Sequence, residues 1–293
     1  MNAFTIKELA SLSGIKAHTI RIWEQRYSFL KPRRTDTNIR YYSTDELKAV
    51  LNIALLNKYG YKISHIDKMS GEEMRQRVMT LVHVEAQQER RVNELLQYMV
   101  ELDMHAFEGV LNEAIHTHGI DTAIRQLVFP FLEKIGILWL ANQINPAQEH
   151  LVSNVIRQKL IAGIESLIPP KSSPAKAVLF LPEGEYHELG LLYAYYMFRR
   201  KGVQVLYLGA SVPVNDMDFL LDIQKPDFVY THLTGVTGNF NLDKFLQQAV
   251  LRLHQTPLVI SGQMARDCDP HEYSNLVVIN SMDELQQFIS TRC

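Results

Sequence analysis

From residue 175 to 293 the sequence alternates short apolar runs with amphipathic ones. The apolar runs lie at 177–181, 203–208, 228–232, 258–261 and 276–279, and helix-like stretches fall between them at 189–201, 215–223, 242–254 and 282–290. Strands that are apolar along their whole length must be covered on both faces, and alternation with helices supplies that cover. The pattern therefore predicts a doubly wound parallel sheet, of flavodoxin/Rossmann-like order with five strands. No Gly-x-Gly-x-x-Gly stands at a strand end, which excludes the usual dinucleotide site.

In such a sheet the ligand-binding edge is built from the loops at the strands' carboxyl ends. Here those loops are Glu185-Tyr186-His187-Glu188-Leu189-Gly190, Gly209-Ala210-Ser211-Val212-Pro213, Thr231-His232-Leu233 and Ser261-Gly262-Gln263. His187 reads either as a ligand-binding group or as a partly exposed loop histidine. Periodicity alone does not separate the two.

The first seventy residues obey different rules. Thr5-Ile6-Lys7-Glu8 has the spacing of a capping box, and Ile6, Leu9 and Ala10 give one apolar face. Gly14 makes a turn, and a second helix follows with Ile20 and Trp23 inward, a helix-turn-helix layout. Lys31 to Asn38, closed by Ile39-Arg40-Tyr41-Tyr42, fits a β-hairpin wing, and Ser43 with Glu46 caps the next helix. Net charge is only −2, yet Lys16, Arg21, Arg26, Lys31, Arg33, Arg34 and Arg40 crowd one segment against Glu24 and Asp36. A basic surface on a near-neutral chain is a local phosphate-binding signature.

Between these regions, residues 72–168 show helical periodicity and little strand signal. Helices at 72–102 (with a break), 104–116, 121–140 and 146–168, joined by short connections, predict a four-helix bundle. Asn145-Pro146 is a strong helix start. The division expected is 1–71, 72–168, a Pro-rich linker at 169–174, and 175–293. Within the bundle, Trp139 and the pair Glu149-His150 read either as a core tryptophan with a helix-dipole glutamate and an incidental histidine, or as a ligand-facing set.

Composition narrows the class. With 293 residues, 46% hydrophobic and 21% charged, the chain can support several cores and is not disordered. No apolar run approaches a membrane span. The first residues lack a signal-peptide pattern, and Cys268 and Cys293 match no metal spacing, so a reducing, cytoplasmic setting is expected.

Thr5-Ile6-x-Glu8-Leu9-Ala10, Gly14-Ile15, Thr19-Ile20-Arg21-x-Trp23-Glu24, Pro32-x-Arg34 and Arg40-x-Tyr42 resemble the DNA-binding domain of MerR-type transcription regulators. That resemblance implies a homo-oligomer, dimer or tetramer, on an inverted repeat of double-stranded DNA. DNA contact is expected from Lys16, His18, Thr19, Arg21, Arg33, Arg34, Arg40 and Tyr41, with Arg21, Arg34 and Arg40 on phosphates and His18 and Thr19 facing bases. Trp23 and Tyr42 are expected in the core.

The later motifs resemble cobalamin-binding regulators, in which a helical cap carries a tryptophan and a Glu-His pair, and the α/β domain carries Asp-x-His-x-x-Gly, Ser-x-Leu and Gly-Gly. The resemblance implies cobalamin, in the adenosyl form, between Trp139, Glu149 and His150 above and His187 below as the cobalt ligand. Glu185 stands at the aspartate position, where a carboxylate fixes the imidazole tautomer. Gly190, Thr231, Leu233 and Gly262 stand at positions lining a slot for the nucleotide tail. Leu140 stands where light-sensing relatives have a second cobalt-binding histidine, which argues against that chemistry. Gln263 replaces the second glycine and is expected to put a side chain into the slot.

The expected protein is a non-enzymatic, DNA-binding regulator, a repressor, whose cap and α/β regions sense cobalamin and control assembly. The alternative is a cofactor-free regulator whose C-terminal regions dimerise or bind an antagonist protein. A cobalamin-dependent enzyme or methyl carrier is the third reading.

Overall fold

The computed structural model describes residues 4–34, 38–140, 144–168, 175–235, 240–271 and 273–292, the side chains of Ile137 and Leu140 excepted. The expected linker 169–174 and Cys293 lie outside the described residues, as does the side chain of Leu140. The chain packs as two compact units, residues 1–155 and 156–293.

The N-terminal unit begins with α1 (Ile6–Ser13), whose first turn is closed by the Thr5–Glu8 capping box and whose end is turned by Gly14 at φ 71°. α2 (Ala17–Arg26) follows, then β1 (Arg33–Arg34) paired antiparallel with β2 (Arg40–Tyr41), the expected wing. α3 (Thr44–Lys58) is capped by Ser43 and Glu46, and α4 (Ile63–Ile66) follows it. Leu9, Ile20, Trp23, Tyr42, Leu47 and Leu51 are buried together as the core of this part, as the sequence pattern requires.

Next come α5 (Gly71–Met79), α6 (Val84–Glu101), α7 (Met104–Ala123), a π-helical turn over Ile124–Val128, α8 (Phe129–Leu140) and α9 (Pro146–Glu165). The expected break after residue 72 falls between α5 and α6. Gly119, at φ 76° and ψ 159°, interrupts α7 close to the expected boundary between two helices. Phe107 and Phe131 pack at 5.4 Å between centroids, joining α7 to α8. Two ion pairs tie α3 to α6: Lys48–Glu101 and Lys58–Glu89, both 2.6 Å. The Asn145 side chain accepts from Ala147 N at 2.9 Å, the cap that the Asn-Pro pair signals. No helix among the described residues is long and apolar enough to cross a membrane.

The C-terminal unit contains β3 (Lys176–Pro182), α10 (Leu189–Arg200), β4 (Gln204–Val212), α11 (Met217–Gln224), β5 (Phe228–His232), α12 (Leu242–Leu253), β6 (Leu258–Ser261), β7 (Leu276–Ile279) and α13 (Met282–Arg292). The sheet is parallel with order β4-β3-β5-β6-β7. This is the expected flavodoxin-like order, and its switch point lies beside β3. One face packs Phe228 and Tyr230 on Phe198 of α10, and Phe228 on Phe288 of α13. The other packs Phe180, Val229 and Ile260 with Phe245 and Leu246 of α12. β4 runs beyond its expected end because its register shifts at Phe180 and Pro182, with Gly209 at φ 82° and Ser211 at φ 56°. That irregularity brings Ser211 to the end of β3.

Candidate functional site

On the N-terminal unit, Lys16, His18, Arg21, Arg33 and Arg34 are exposed, and Thr19 and Tyr41 are half-buried. Ile20 and Trp23 are buried on the opposite side of α2, so its outer face is left to His18 and Arg21. Arg34 donates to Asn38 Oδ1 at 2.6 Å within the wing. Arg40 also serves the fold: its Nε donates to Glu24 Oε2 at 3.0 Å, and Glu24 also accepts from Tyr42 Oη. Glu24 is only 9% exposed. Burial and this carboxylate raise the pKa of Tyr42. The triad Arg40–Glu24–Tyr42 locks the wing to α2. The Trp23-Glu24 motif is legible in sequence, but not that Glu24 organises the joint.

On the C-terminal unit, the turn after β3 buries Glu185 completely. Its Oε1 accepts from His187 N at 2.8 Å and contacts His187 Nδ1 at 2.6 Å, while Oε2 accepts from Gly235 N at 3.2 Å. Its carbonyl accepts from Ser211 N at 3.1 Å, and Ser211 Oγ accepts from Gly184 N at 3.3 Å. Burial opposes the charge of Glu185, but the bonds and charge of His187 and the Gly235 amide outweigh it and hold the carboxyl below its ordinary range. Glutamate, one methylene longer than aspartate, thus keeps the carboxylate–imidazole pairing. The side chain of His187 is 52% exposed. Next to it, Glu188 is held by Tyr207 Oη at 2.7 Å and by Arg157 Nη2 at 2.6 Å.

Beside this pair the pleat decides which side chains meet α10. Tyr230 and His232 point to the α10 face, and Thr231 and Leu233 to the other. A Cβ built on Gly190 would lie 2.2 Å from His232 Cδ2 and 2.3 Å from Nε2, so the imidazole rests directly on that glycine. His232 Nδ1 is 2.8 Å from Ser261 Oγ, which is 2.5 Å from Tyr230 Oη. Burial pushes the His232 pKa down to about 4, against a small opposing pull from Glu185, and the ring is neutral near pH 7. Among the described residues, Thr231 Oγ1 is buried without a hydrogen-bond partner. Gly262, at φ 97°, is required for another reason: a Cβ there would sit 2.3 Å from the Leu233 carbonyl oxygen. Gln263, expected to enter the slot, opens a 3₁₀ turn (Gln263–Asp267) and is exposed instead. The residue that meets Gly190 is His232, which the sequence places in the Thr231-His232-Leu233 loop but does not single out.

Residues 4–72 match the family of MerR helix-turn-helix regulatory proteins, and residues 91–162 match a family described as a B12 binding domain. The chain is 29% identical over 269 residues to the HTH-type transcriptional repressor CarA of Myxococcus xanthus, covering 89% of this chain and 87% of the relative. It is also 29% identical over 274 residues to CarH of the same organism, another HTH-type transcriptional repressor, covering 90% of each. Among solved structures, a monomethylamine corrinoid protein of Methanosarcina barkeri superimposes with a TM-score of 0.55 at 16% identity, over 69% of this chain and 99% of that one. The last comparison bears on the fold alone.

The chain is a DNA-binding transcription regulator with a MerR-like helix-turn-helix at residues 4–72 and a cobalamin-type sensor region. It is a regulator rather than an enzyme.

In the regulator's cap, Trp139 is 45% exposed, while its neighbour Leu138 is fully buried. The core reading of Trp139 is thereby set aside. Glu149 Oε2 lies 3.1 Å from His150 Nδ1, and the His150 side chain is 73% exposed. All three residues present surface at one end of the cap sequence, on α8 and the first turn of α9. Against a corrinoid, the donor set fits in part. His187, with Nδ1 paired to a buried carboxylate, has the chemistry of a metal-ligating imidazole and would hold the cobalt. The space over Gly190, by contrast, holds the His232 ring.

Proposed function

We propose that this regulator binds an inverted-repeat operator in the cytoplasm as a homo-oligomer, represses from it, and senses a corrinoid through His187. The observation that carries the sensor reading is the 2.6 Å contact between His187 Nδ1 and the fully buried Glu185 carboxylate. A loop histidine without a ligand role has no need of a buried charge, which costs several kcal/mol to desolvate. Such a carboxylate would fix the tautomer in which Nε2 is the coordinating atom. Cobalt in a bound corrinoid would supply the Lewis-acidic centre for that nitrogen.

The cap residues Trp139, Glu149 and His150 would also contact the corrinoid, and the exposure of Trp139 supports this. The adenosyl form is favoured because an indole face can stack on the planar adenine ring. Repression is supported by the two relatives of that name, which the chain matches along most of its length. For the ligand to act on DNA binding it must favour one assembly state over another. The ion pairs Lys48–Glu101 and Lys58–Glu89 give the helical cap a direct grip on the α3 helix of the DNA-binding part.

The test mixes purified full-length protein with adenosylcobalamin in the dark, removes free ligand and records the visible spectrum. Retained colour with a histidine-ligated spectrum, lost in His187→Ala, is expected. Band shifts on the inverted-repeat promoter with and without ligand then read the coupling. Absence of any operator shift at low salt would defeat the regulator reading, and an identical spectrum in His187→Ala would defeat the ligand assignment.

A further inference from the structure

The corrinoid reading leaves one half-buried group unused. His232 is the large side chain among Gly190, Ser261 and Tyr230 at the carboxyl ends of β5 and β6. Its ring is placed by three independent constraints. Strand alternation turns it to the α10 face, Ser261 Oγ holds Nδ1 at 2.8 Å, and the bare α-carbon of Gly190 receives the opposite edge of the ring. A methyl group at Gly190 would come within 3.0 Å of three ring atoms. The glycine that ought to make room for a ligand's tail here makes room for the protein's own imidazole.

Among the described residues, the groups around that space are already engaged. Ser261 is also held by Tyr230, so the serine hydroxyl is committed on both sides. Glu185 is the charged group facing His232, and its oxygens are already taken by His187 and Gly235. Gln263, the other side chain able to close the slot, is exposed. His187 itself stays half exposed, so the cobalt-ligating edge and the tail slot are in different states.

We propose that His232 fills the nucleotide-tail slot, so that this sensor takes corrinoids lacking a tail base, of the cobinamide class, in preference to complete cobalamin. The inference rests on the corrinoid reading above and deepens it. A complete cobalamin has to rotate the imidazole off Gly190 and break its bond to Ser261 before its base can enter. A tail-less corrinoid reaches His187 without doing so. The loss of one neutral hydrogen bond alone corresponds to roughly fivefold in affinity, and repacking adds to it.

The experiment compares retention of dicyanocobinamide and cyanocobalamin by full-length wild-type protein, His232→Ala and His232→Ser, with circular dichroism confirming that each variant is folded. Visible titration gives each dissociation constant. Wild type is expected to hold cobinamide at least about tenfold tighter than cobalamin. Both substitutions should close that gap by tightening cobalamin, with cobinamide unchanged. Wild-type protein that binds cobalamin as tightly as cobinamide, or variants that leave the gap intact, would overturn the slot assignment while corrinoid sensing stands. Retention of neither compound by any of the three proteins would overturn the corrinoid reading itself, and this inference with it.

Discussion

Substituting Gly190 by alanine puts the His232 arrangement under direct strain. The new Cβ would sit 2.2 Å from Cδ2, 2.3 Å from Nε2 and 2.9 Å from Cε1 of His232, whereas non-bonded carbons are comfortable near about 3.5–4.0 Å. The ring must move by more than about 1 Å, which breaks its 2.8 Å bond to Ser261 Oγ. A lost hydrogen bond costs about 1 kcal/mol and overpacking about 1–3 kcal/mol. Alanine returns less than about 1 kcal/mol of helix propensity in the first turn of α10. The net expectation is a loss of about 1–3 kcal/mol in the C-terminal unit. In a His232→Ala background the obstruction is gone, and Gly190→Ala should be neutral or slightly stabilising.

Urea unfolding of the full chain measures this, with a built-in control. The chain has two tryptophans, Trp23 and Trp139, and both lie in the N-terminal unit, so their fluorescence reports that unit while far-ultraviolet dichroism reports both. The tryptophan-detected transition should stay in place. An equal loss from Gly190→Ala in both backgrounds would refute the reasoning, because the cost would then lie in the backbone rather than in contact with His232.

Four further outcomes follow from the same geometry. His232 has a folded pKa of about 4, below its ordinary 6.5, so its contribution is complete above pH 6.5 and is lost as pH falls toward 4. That amounts to about 3 kcal/mol, and acid unfolding curves of His232→Asn should be flatter across this window. Arg34→Ala should lower the salt slope of operator binding by about one with an unchanged melting temperature. Arg40→Ala should also destabilise the fold by about 1–3 kcal/mol, because it strips a buried carboxylate of its guanidinium; equal melting temperatures for the two variants would contradict the triad. Trp139→Ala should cost less than about 1 kcal/mol, where a core tryptophan costs about 3–5, as thermal melts followed at Trp23 would register.

The sequence by itself determined the element types, the strand order and the two ends of the function. Capping boxes at Thr5, Ser43 and Ser70 act over three residues, and apolar periodicity acts over a single helix or strand, so both are readable locally. The pairing of Glu185 with His187 is also local, two residues apart, and is readable without the fold. Tertiary structure alone decided the rest. Arg40 looks like any wing arginine until folding sets it against Glu24, sixteen residues away. Trp139 is either core or surface until packing buries Leu138 and leaves the indole out. Gln263 looks like the side chain that closes the slot, but a 3₁₀ turn carries it outward. His232 takes that place because the pleat of β5 and the missing Cβ of Gly190, forty-two residues earlier, meet at one sheet edge. Which side chain fills a space depends on strand parity and on distant backbone, and no local spacing encodes either.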